Sequence, residues 1–141
     1  MFDLDRDQSR QLFFSAWEKH KNQQVMEPLE SVIVDVIQMH PEYHAFLEKP
    51  EDNQDKDFFP EMGDTNPFLH MGLHIAIKEQ ISINQPIGIK DQYTRLLAKH
   101  QDTHAVEHLI LDCLAQAIWE AQRNNSMPDN QAYLNCIKAL Q

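Results

Sequence analysis

The chain has 141 residues, 42% of them hydrophobic, with 22 acidic side chains against 12 basic ones and a formal net charge of -10 with histidine neutral. That is enough chain to bury a core as one domain without disulfides. The acidity, with no basic run set apart from it, argues against nucleic acid and against an anionic membrane surface as partners. No apolar run approaches the roughly 18 residues of a spanning helix, and Met1 to Asp7 is too acidic and polar for a secretory signal, so a cytoplasmic location is expected.

In chain order, Leu12, Phe13, Ala16, Trp17 and His20 recur at three- and four-residue steps and predict a first helix over about Asp7 to Asn22. A second begins near Glu27, with Pro28 in its first turn, and carries Leu29, Val32, Ile33, Val36 and Ile37 as one apolar stripe that His40 continues. Pro41 disfavours helical geometry at His40, so a break is expected before a short helix from Pro41 to about Lys49. Pro50 to Asn66 is polar and acidic apart from Phe58 and Phe59, and reads as one long acidic surface loop whose aromatics dock on the bundle.

Asn66 as N-cap and Pro67 at the first helical position open a helix that runs to about Ile83. Asn84 to Gly88 is a turn, and Ile89 to His100 a further helix. Thr103 to Asn124 is the longest and most apolar helix, and Asp129 caps a last one carrying Tyr133, Leu134, Ile137 and Leu140. The expectation is an all-α, compact single-domain bundle of about five or six helices over residues 1–141. Cys113 and Cys136 lie in apolar helical patterns without a CxxC, which favours buried reduced thiols over a disulfide.

The histidines hold the chemistry. Eight scattered at random would give roughly 0.4 pairs four residues apart, whereas the chain has 40/44, 70/74, 100/104 and 104/108. Histidines four apart on a helix share a face. Two pairs on neighbouring helices, His70/His74 and His104/His108, therefore suggest a transition-metal site for Zn, Ni, Fe or Cu, with His44 and Asp112 as weaker candidates. If only three imidazoles bind, the open position could hold an activated water. The alternative is a metal-free interaction or structural module, with imidazoles as half-buried hydrogen-bonding groups and the acidic surface meeting a protein partner or a second copy.

Catalytic residues are not assigned by the sequence. His104 to His108 matches the H-x-x-E-H zinc-peptidase pattern, but that chemistry needs a larger fold and a further ligand downstream. Glu-x-x-His of carboxylate-bridged di-iron bundles is absent, as are a nucleophile elbow and a Gly-rich phosphate loop. His40-Pro41-Glu42-Tyr43-His44, Thr65 to His70 with His74, Glu79 to Ile83, His104 to His108, Trp119 to Arg123 and Ala132 to Leu134 occur in a fixed order. In this the chain resembles the proteins catalogued as domain of unknown function 1841. The resemblance implies a bacterial, cytoplasmic, helical protein and brings no catalytic residue with it.

Overall fold

The computed structural model describes residues 6–59 and 62–141. Among these residues there are eight α-helices and no strand: α1 Arg6–Lys21, α2 Pro28–Gln38, α3 His44–Leu47, α4 Pro50–Asn53, α5 Pro67–Ile83, α6 Ile89–His100, α7 Thr103–Arg123 and α8 Asn130–Ala139. The all-α expectation holds and the expected count of five or six is too low. The excess lies in one-turn helices. Pro41–Tyr43 is a 3-10 turn leading directly into α3, and α4 occupies the start of the expected loop. None of the helices formed by the described residues is long and apolar enough to cross a membrane.

The chain divides into two compact units, residues 1–75 and 76–141, with the boundary inside α5. In the first unit α1 packs on α2. Their facing residues Phe13, Ala16, Ile33, Val36 and Ile37 are all sealed from solvent, as the three- and four-residue spacing requires. Phe68 at the start of α5 meets Phe13, Phe14 and Phe46 edge-on, at centroid distances of 5.3–5.8 Å. Glu30 closes the N-terminus of α2: its Oε1 accepts from the Glu27 backbone N–H at 2.8 Å, and Lys19 of α1 pairs with Oε2 at 2.8 Å.

The acidic segment after Pro50 is fastened down by α1. Arg10 Nη1 donates to the carbonyls of Gln54 and Lys56 at 3.0 and 2.8 Å, Arg6 reaches the Lys56 carbonyl at 2.8 Å, and Asn53 Nδ2 donates to Phe46 O. Phe58 docks beside Phe46, whereas Phe59 is 47% exposed, so only the first of the two aromatics anchors the segment.

In the second unit α7 packs on α6 and α8. Asp102 and Asp129 cap α7 and α8, each accepting from two backbone N–H groups. Burial pushes the Tyr133 hydroxyl well above its usual pKa, and it donates to Gln80 Oε1 at 2.7 Å. The cysteines depart from expectation: Cys113 of α7 and Cys136 of α8 form a disulfide, their Cα atoms 5.8 Å apart. Antiparallel helices in close contact bring the two thiols together although they lie 23 residues apart in sequence.

Candidate metal centre

Three imidazoles converge inside the first unit. His40 follows the last turn of α2, and His70 and His74 stand one turn apart on α5. His40 and His74 are fully buried and His70 is half-buried. Ring centroids are 5.0 Å apart for His40/His70, 4.7 Å for His40/His74 and 4.9 Å for His70/His74, with every pair edge-on. One nitrogen from each lies within 4.8 Å of one nitrogen from each of the others. A tetrahedral ion with bonds of about 2.0–2.1 Å holds its nitrogens roughly 3.3 Å apart. The three rings therefore need to close by at most about 1.5 Å, which is within the reach of rotation about their side-chain torsions.

The environment fixes one of the tautomers. His40 Nδ1 lies 2.7 Å from the Val36 carbonyl, and a carbonyl oxygen only accepts, so Nδ1 carries the proton and Nε2 the lone pair. A backbone carbonyl behind a ring nitrogen is the usual support of a metal-binding histidine. Tyr43 stacks on His40 at 5.5 Å and meets His70 at 6.2 Å, walling the cluster, and burial next to Glu42 raises its phenol pKa.

Of the histidines expected from the sequence, His70 and His74 are brought together as the helical spacing requires. His40 joins them, although the spacing argument paired it with His44. The chain leaves the helix after Gln38, and the 3-10 turn started by Pro41 rotates His44 away. His44 Nε2 instead donates to the Ile37 carbonyl at 2.9 Å, and its ring lies 4.6 Å from Trp17, which rules out convergence of His44 on the other three in this arrangement. The readable sign of His40 was its place one turn beyond Val36 on the buried stripe.

His104 and His108, in the second unit, form the expected pair on α7: half-buried, 4.2 Å between ring centroids and nearly perpendicular. Asp112, one turn further along α7, is exposed. Glu107 is 97% buried and its Oε2 pairs with Lys78 Nζ at 2.9 Å. A carboxylate held by an ammonium is a poor activator of water, so the H-x-x-E-H match does not carry peptidase chemistry here.

An all-helical chain with a buried three-histidine cluster is the class that fold and site define. The chain belongs to the family described as Domain of unknown function (DUF1841), whose model matches residues 5–139, nearly its whole length. No curated protein and no solved structure matches it.

Proposed function

We propose that this protein binds a transition metal, Zn, Ni, Fe or Cu, through His40, His70 and His74. The observation that carries this reading is the Nδ1–H of His40 donated to the Val36 carbonyl, which leaves Nε2 as a ligand-competent nitrogen beside two other imidazoles. Three protein ligands would leave a coordination position open for water or substrate, and a fourth would close it. The number of histidines that bind therefore separates an enzyme from a structural or sensing site. We infer a bacterial, cytoplasmic protein with a protein partner or a second copy, and with neither nucleic acid nor membrane as partner. The family resemblance and the net charge of -10 support that part.

The test is elemental analysis of untagged protein purified without chelator. Near-integral transition metal per chain, lost in His40→Gln and in His74→Gln while circular dichroism stays helical, supports the reading. Absence of metal, with no uptake when Zn, Ni, Fe or Cu salts are added, overturns it in favour of a metal-free structural or interaction module.

A further inference from the structure

The first unit carries a second feature that the metal reading does not use. Arg10 is only 5% exposed, yet among the described residues no carboxylate is within ion-pair distance of it. Its positive charge is held by two backbone carbonyls, both on Nη1, and by the faces of Phe68 and Phe58, 4.7 and 5.7 Å from the guanidinium carbon. A guanidinium has five N–H donors, and two hydrogen bonds at one nitrogen leave those on Nε and Nη2. Neither of these nitrogens makes a hydrogen bond with a described residue. Burial first, and Arg6 next, lower the pKa of Arg10 against the opposing pull of Asp57, Asp7 and Asp55.

The space beside Arg10 is a cavity of about 220 Å³ whose polar lining is Arg6, Ser9, Arg10 and Asn66. Asn66 spends its Oδ1 capping α5, on the N–H groups of Phe68 and Leu69, which leaves its amide nitrogen as a donor. Arg6 Nη2 is engaged by Asp57 at 3.0 Å and by the Asp55 and Lys56 carbonyls, which leaves the donors on its Nε and Nη1. Phe13, Phe68 and the 59% exposed Leu69 line the same cavity. The lining thus offers N–H donors together with ring and branched hydrocarbon.

We infer that this cavity binds a small organic carboxylate with an aromatic or branched apolar body, its carboxylate on Arg6 and Arg10 and its body against Phe13, Phe68 and Leu69. Inorganic phosphate would meet the same cations but leave the apolar lining uncovered, and acetate would leave it unfilled. Buried apolar area therefore sets the order of affinities, since each methylene-sized piece removed from water favours binding.

The experiment uses the full chain, treated with chelator so that no metal can serve as the anion site. Phenylacetate, acetate and inorganic phosphate are titrated by calorimetry and by ligand-observed NMR. Arg10 and Arg6 both hold backbone carbonyls of the acidic segment, so Leu69→Asp, at an exposed position that holds none, is read beside Arg6→Gln, whose fold is checked by circular dichroism and thermal unfolding. Saturable binding of one phenylacetate, at least tenfold tighter than acetate or phosphate and weakened at least tenfold in each variant, is the expected result. No saturation by phenylacetate, an affinity unchanged in either variant, or phosphate binding as tightly as phenylacetate overturns the inference.

Discussion

At His40 one hydrogen bond decides which ring nitrogen is protonated, and at His44 a similar bond to another α2 carbonyl ties the ring down beside Trp17. The same contact type thus serves the proposed ligand role of one histidine and a structural role of the other. His44→Gln should leave metal stoichiometry unchanged and cost about 1 kcal/mol of stability, the usual worth of one such bond; urea unfolding read beside metal analysis checks both. Glu30 supplies a pH dependence. Its carboxyl is held below the usual value of 4.5 by the Lys19 ammonium first and by the Glu27 N–H next. A carboxyl with a depressed folded pKa adds stability that is fully present above its unfolded pKa and is lost as pH falls through the folded one. Glu30→Gln should therefore unfold at lower urea than wild type at pH 7, with the gap narrowing below about pH 4.5. His70 and His74 were legible because the spacing 70/74 and the phase of Leu73 and Ile77 speak directly of one helix face. His40 was half legible: its place on the α2 stripe was plain, its partners were not, because α5 lies 30 residues further along the chain.

Among the elements, the clear boundaries were those with local chemistry at the ends. Asn66 with Pro67, Asp102 and Asp129 open α5, α7 and α8 where the caps predict. Asp102→Ala and Asp129→Ala should each cost about 1 kcal/mol, measured by chemical unfolding. Ile33, fully buried on the α2 stripe, should cost about 2–5 kcal/mol when cut to Ala, the range set by how far the cavity collapses. The short helix expected over Pro41 to Lys49 is present as a 3-10 turn followed by α3, whereas α4 was not legible, because four residues are too few to show a 3.6-residue period. Nor was the docking of the acidic segment. It depends on Arg6 and Arg10 reaching carbonyls 44–50 residues away, and no local pattern encodes a carbonyl as a partner.

For the molecule as a whole, the disulfide is where compositional reasoning failed. Absence of a CxxC spoke for thiols, but pairing depends on the register of α7 against α8, which a single sequence does not state. The bridge closes a loop of 23 residues, so reduction should destabilise the chain by about 3 kcal/mol in the chain-entropy model. Thermal unfolding with and without a phosphine reductant, with Cys136→Ser as control, measures it. Disulfides persist in oxidising compartments and are rare in a reducing cytosol. Thiol trapping of cell extracts therefore tests the proposed cytoplasmic location: there the pair should be found reduced. The central claim, a metal held by the buried histidines, is tested most directly by titrating zinc into the chelator-treated full chain while following thermal stability. An ion that binds only the folded state raises stability by about 2.7 kcal/mol at a hundredfold excess over its dissociation constant. Saturable binding at one equivalent with that stabilisation in wild type, and its loss in His40→Gln and His74→Gln, is the predicted result; equal response in wild type and both variants, or none in any, contradicts the account.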